Sequence, residues 1–208
     1  QPNLSHFRST DIWMSGSDSQ EVVDTGWVGR YLNYEFPNFP NGYPNATMPD
    51  PLAIQIGAVS SLTFHGPSMG MSMSITNPTS FYRIVDDVQD PAPPTRAGKE
   101  LTYVREIARQ TELFASAVKR AASNTAQQLP YPENNELADQ LKIVARLVKG
   151  GLKTRVYMVS YNGFDTHSMQ TDQADPTIGK HADLLKELSD SVKAFQDDLA
   201  FMGIEDRV

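Results

Sequence analysis

Apolar residues in the second half of the chain recur at helical spacing. Between Arg96 and Ala126 they fall at Leu101, Val104, Ala108, Phe114, Val118 and Ala121, with Thr111 filling the gap. That three/four spacing predicts one long helix with a single buried face. Pro130 and Pro132 end it. Leu137, Leu141, Val144 and Val148 then predict a second amphipathic helix, with Gly150-Gly151 as its stop signal. The run Arg155–Tyr161 is rich in β-branched and aromatic residues and predicts a strand. Asp175-Pro176 reads as a helix start, an N-cap followed by proline at the first helical position. Leu185, Leu188, Val192, Phe195, Leu199 and Met202 follow at spacings of 3, 4, 3, 4 and 3, and Gly203 closes that helix. Asp206-Arg207-Val208 reads as the beginning of a further strand, so the chain is expected to be the middle of a longer one.

The first half is patterned differently. Leu52–Gly57 reads as a short strand, and Met69–Met73 alternates methionine with small residues as a strand or an ordered loop does. Eleven of the 14 prolines and 11 of the 19 aromatics precede residue 95. A stretch of that composition folds as structured loops with short elements. The chain therefore divides into a loop-rich part, 1–94, and a helix–helix–strand–helix part, 95–208, within one domain. Alternation of helix and strand in the second part predicts an α/β fold on a parallel sheet with right-handed crossovers.

Composition narrows the function classes. The 208 residues carry a net charge of −7, with three basic and nine acidic residues in the first 94. A nucleic-acid binder needs a basic face, so that class is excluded as a partner. No apolar run approaches the roughly 18 residues of a membrane span. The absence of cysteine removes disulfides, zinc fingers and thiol catalysis.

Candidate chemistry lies in two places. The segment Asn162–Ser168 directly follows the predicted strand 155–161, and ligand sites in parallel sheets form beyond the carboxyl ends of strands. Asp165 and His167 are two apart, so an extended backbone puts both side chains on one side with Thr166 facing away. A mixed carboxylate–imidazole pair suits zinc, manganese or iron. Two ligands do not complete a catalytic site, and at least one more must come from elsewhere. The plainer reading is that Asp165 caps a turn and His167 is an exposed loop residue. His181, at the opening of the last helix, is either a further ligand or a polar first-turn residue. In the second place, Asn3–Trp13, Ser5 is a nucleophile or a helix N-cap, with Phe7 and Trp13 packing in the latter case and His6 or Arg8 facing an anion in the former. Asp24–Leu32 reads as a capped helix turn whose aromatics pack.

The run Ser5-His6-Phe7-Arg8-Ser9 through Trp13, then Gly26-Trp27-Val28-Gly29-Arg30-Tyr31-Leu32, then Gly163-Phe164-Asp165-Thr166-His167 with Gln170 behind it, resembles the bacterial secreted proteins grouped as domain of unknown function 1501. The closing helix, with Ala194-Phe195 and Asp198-Leu199, and the Gly203…Asp206-Arg207-Val208 exit fit the same order. The resemblance covers essentially the whole chain. It implies an alkaline-phosphatase-like fold, a three-layer α/β/α sandwich on a mostly parallel sheet, here incomplete at both ends. It implies a divalent metal, zinc or manganese, with Asp165 and His167 matching the Asp…His metal-ligand segment. It places the nucleophile at Ser5, with Ser9 and Thr10 as neighbouring alternatives.

Family members begin with a strand ending in a Gly-Gly-Asn-Asp-Gly-like turn and continue with a Ser-Glu-Phe-Gly-Arg strand and a Gly-Thr-Asp-His-Gly segment. None of these, nor the family's twin-arginine export signal, is among these 208 residues. The expected function is a metal-dependent hydrolase acting on a small-molecule or polysaccharide phosphate or sulfate ester, periplasmic or extracellular. The other expectation is a secreted, non-catalytic binding or surface-associated protein on the same scaffold, with Trp27–Tyr43 as its binding surface.

Overall fold

The computed structural model describes residues 5–58, 60–77, 92–124, 127–167 and 170–208. Asn3, Leu4, Ala126 and Ser168, which belong to stretches named above, lie outside the described residues, as does the side chain of Thr111. Among the described residues the chain is a mixed α/β protein with five α-helices and a three-stranded parallel sheet. In chain order these are α1 (His6–Ser15), α2 (Trp27–Glu35), β1 (Ala53–Ile56), β2 (Ser72–Ile75), α3 (Arg96–Ser123), α4 (Glu136–Lys149), β3 (Val156–Met158) and α5 (Lys180–Phe201). They fall into two compact units. The first comprises Gln1–Lys119 and Lys153–Met158, and the second Arg120–Leu152 and Val159–Val208.

The sheet belongs to the first unit. Its order is β2-β1-β3, with Ala53 paired to Ser72 on one side and to Val156 on the other. β1 is buried along its whole length, as a central parallel strand must be. Its one polar residue, Gln55, accepts a hydrogen bond from the Ser61 amide at 2.7 Å, so no buried amide is orphaned there. Leu32, Leu52, Ile54, Phe64, Met71 and Met73 form the core around it. The methionine alternation at 69–73 thus leads into β2 and turns Met71 and Met73 inward.

α2 enters that core through backbone contact. A Cβ on Gly26 would stand 2.1 Å from the Leu62 carbonyl oxygen, and one on Gly29 would stand 2.3 Å from the His65 carbonyl carbon. Only glycine permits so close an approach. Arg30 then donates to the Ser15 carbonyl at 2.7 Å and to the carbonyl and hydroxyl oxygens of Thr25 at 2.9 and 3.0 Å. The Gly-x-x-Gly-Arg spacing is therefore architectural. The expected side-chain cap is absent: Gly26 is the N-cap and makes no such bond, because the Leu62–Thr63 backbone occupies that space.

In the second unit α4 packs against α5. Asn135 caps α4 by accepting from the Ala138 amide at 3.1 Å, and Glu136 and Asp139 sit at the positive end of its dipole. Leu147 of α4 and Leu199 of α5 are wholly buried. Asp198 of α5 is also wholly buried. Its carboxylate accepts from Leu129 N at 2.8 Å, Gln128 Nε2 at 2.9 Å and Tyr131 Oη at 3.0 Å. Burial, and then the charge and hydrogen bond of Asp198, raise the Tyr131 phenol well above its ordinary pKa.

Three boundaries differ from the sequence expectations. The last helix starts at Lys180, not at Asp175-Pro176. Asp175 turns its carboxylate to the amide and hydroxyl of Thr177, at 2.9 and 2.6 Å, and closes a local turn instead. Gly179, at φ +128°, then separates that turn from the helix. The C-terminal residues form a 3₁₀ turn, Glu205–Arg207, not the beginning of a strand. Gly203 in the left-handed region and the Ile204 amide on the Leu199 carbonyl at 3.0 Å close α5 as a Schellman motif. Arg207 then donates to the Val148 carbonyl at 2.8 Å, and Lys149 to the Met202 carbonyl at 2.7 Å. The Arg207 bond adds to the Val148 carbonyl, which also accepts from the Gly151 amide at 3.1 Å, and the Lys149 bond gives the Met202 carbonyl a donor at the end of α5. Lastly, β3 covers three of the seven residues expected, because its ladder with β1 ends at Met158.

Candidate functional site

The segment after β3 carries the Asp–Thr–His motif. Asp165 Oδ2 and His167 Nε2 face each other at 3.0 Å, and both side chains are more than half exposed. An extended backbone does not bring them together. The Thr166 amide bonds the Phe164 carbonyl at 3.0 Å, and His167 holds φ +46°. A non-glycine residue in the left-handed region costs roughly 1–2 kcal/mol. Such strain clusters at functional sites. The tight turn does what the extended strand was expected to do.

The separation has a chemical meaning. The donor atoms of a tetrahedral zinc site, bound at about 2.0–2.2 Å, lie about 3.3–3.6 Å apart, so this pair would open by a few tenths of an ångström to share one ion. With its proton, Nε2 donates to the carboxylate. A divalent cation held by both atoms would take the place of that hydrogen bond. An oxygen–nitrogen donor pair also matches zinc or manganese better than calcium. Among the described residues no group of three or more His, Asp or Glu side chains is gathered around a single point. Two ligands are what this turn offers.

The turn is anchored from α4 and α5. Gln140 of α4 bonds both backbone groups of Ser160, donating from Nε2 to the carbonyl at 2.8 Å and accepting from the amide at 2.9 Å. The Tyr161 hydroxyl donates to Glu187 of α5, and its pKa is pushed up to about 12 by desolvation, then by that hydrogen bond and charge. Phe164 meets the Tyr161 ring edge-on at 5.5 Å and the His181 ring at 6.2 Å. His181 thus packs against the aromatic beside the motif, in the first turn of α5.

Ser5 belongs to the other unit. It is the N-cap of α1, its Oγ accepting from the Arg8 amide at 3.3 Å. That position puts the hydroxyl at the positive end of the helix, where anions are favoured. Ser9 and Thr10 lie within the first turns of α1. Phe7 and Trp13 do not pack as the capping reading expected: they are 87% and 61% exposed, since α1 buries only Ser15. Arg8 is turned away from anion duty by its own loop, its Nη2 donating to the carbonyls of Asp18, Ser19 and Glu21. A cleft of about 760 Å³ opens beside it, with Asp11, Asp24, Leu62, His65 and Met69 among its walls.

The aromatics of α2 also face outward. Trp27, Tyr31 and Tyr34, at i, i+4 and i+7, are half or more exposed, while Val28 and Leu32 are buried behind them. Sequence reasoning missed the cleft and Gln140. Neither carries a local signal, because one is made by segments far apart in the chain and the other occupies an ordinary polar helix position. No family model, characterised protein or solved structure matches the chain. No helix among the described residues is long and apolar enough to cross a membrane.

Proposed function

We propose that the protein is a metal-dependent hydrolase of phosphate or sulfate esters, of the domain-1501 type, exported to the periplasm or beyond. On this reading the three parallel strands are part of an alkaline-phosphatase-like α/β/α sandwich. The observation that carries it is the 3.0 Å separation of Asp165 Oδ2 and His167 Nε2 in a strained turn following a parallel strand. Asp165 and His167 would hold zinc or manganese, which supplies a Lewis acid for the charge that develops on ester oxygens.

Ser5 is the nucleophile of this reading. Its Oγ bonds to phosphorus or sulfur as the bond to the ester oxygen breaks, and the serine proton leaves on the departing alcohol; water then hydrolyses the Ser5 ester, which releases phosphate or sulfate and restores the hydroxyl. The α1 N-terminus lowers the cost of negative charge beside that oxygen. The cleft one turn along α1, within the size range of small-molecule sites, offers room for the ester's organic part.

Elemental analysis of the purified protein beside the Asp165→Ala/His167→Ala variant tests the metal. Near-stoichiometric zinc or manganese that disappears in the variant supports the reading, and its absence from both proteins after reconstitution ends it. A second reading, a non-catalytic binding protein, draws on the exposed stripe Trp27, Tyr31 and Tyr34, since aromatic rings with polar tips suit recognition surfaces. Loss of ester turnover in Ser5→Ala with metal retained selects the hydrolase. Metal without turnover toward any ester, and indifference to Ser5→Ala, selects the binding protein.

A further inference from the structure

We infer that Gln140 is a positioning residue for the Asp165–His167 pair, acting through the backbone of Ser160. The inference rests on the reading of that pair as one edge of a metal site. After Met158 the chain has left its ladder with β1, so its peptide groups need other partners or water. A primary amide presents the same donor and acceptor as a peptide group. Gln140 uses both on Ser160, at 2.8 and 2.9 Å, and so stands in for one residue of a neighbouring strand.

The contact is solvent-exposed, where hydrogen bonds compete with water and add little to stability. Holding a long glutamine in one rotamer also costs entropy. Its effect is geometric. Four contacts in succession tie the segment to the packed α4–α5 pair: Gln140 on Ser160, Glu187 on Tyr161, Leu184 beneath Gly163, and His181 against Phe164. Gly163 holds φ +101°, and a Cβ there would come 3.3 Å from Leu184. The next residue after this series is Asp165. Gln140 makes the first contact and is the one that fixes backbone on both sides. Removing it frees the segment upstream of both donor atoms while leaving the helices packed.

The test compares Gln140→Ala, Gln140→Glu and Lys193→Ala, the last breaking an exposed ion pair on α5. Amide hydrogen exchange of residues 160–167, the melting temperature and zinc titration are read for each. Gln140→Ala should leave the melting temperature unchanged, speed exchange of the 160–167 amides about tenfold and weaken zinc binding roughly 10–100-fold. Gln140→Glu keeps the acceptor for the Ser160 amide and should recover part of both effects. Lys193→Ala should change neither. Exchange in Gln140→Ala indistinguishable from wild type overturns the inference, even where zinc binds and depends on Asp165 and His167. A wild type that takes up no zinc while Gln140→Ala still loosens 160–167 upholds the positioning and removes the metal reading instead.

Discussion

Two carboxylates of the second unit show opposite uses of the same group. Asp198 is wholly buried and receives three hydrogen bonds, from a backbone amide, a carboxamide and a phenol. Asp165 is more than half exposed, faces an imidazole, and sits in a turn that holds a left-handed histidine. The first arrangement closes the carboxylate's capacity and pins the 128–131 segment to α5. The second keeps lone pairs at the surface, and the backbone bears strain to keep them together. A buried charge must be satisfied by its own chain. An exposed one is within reach of a partner from solution.

Substitutions separate the two. Asp198→Ala should destabilise by about 3 kcal/mol, since three donors lose their acceptor in a dry site, read as the midpoint of a urea titration. Tyr131→Phe should cost about 1 kcal/mol at neutral pH and also change the alkaline limb. The Tyr131 phenol has its folded-state pKa raised, so its stabilisation is complete below the unfolded value of about 10 and is lost as pH rises past it. Wild-type stability should fall above that pH, and Tyr131→Phe should flatten the fall. A slope unchanged by the substitution would break the contrast at its buried end. Ser5→Ala should cost about 1 kcal/mol through the lost α1 cap, read as faster amide exchange in Arg8–Ile12.

The smallest effect should be Asp165→Ala, within about 0.5 kcal/mol of wild type, as for most exposed pairs. Its consequence should appear in metal content instead. A loss of several kcal/mol there would mean that Asp165 holds the fold together as Asp198 does.

Legibility in the sequence followed the same division. The apolar spacing placed α4 and α5, with errors at ends where a side chain had a choice of partner. Asp175 has the identity and the following proline of an N-cap, but its carboxylate closes a local turn on Thr177 and the helix begins only at Lys180. Arg207 belongs to a strand-like run, but its guanidinium bonds the Val148 carbonyl near the end of α4. Asp198 sits among Asp197, Leu199 and Ala200 as any helix-surface aspartate does, and nothing local marks it as buried. For the site, the Asp-Thr-His spacing and its place after a strand were readable. The turn that unites the pair and the Gln140 contact that anchors it were not.

The sequence by itself determined the periodic elements, the parallel α/β class and the residue types of the candidate site, because periodicity and side-chain chemistry are local properties. Only the tertiary structure decided which glycines admit another backbone, which aspartate is sealed and which stays open, and where β3 ends. Those outcomes depend on groups far apart in the chain competing for the same hydrogen bonds and the same space, and no local pattern records the winner.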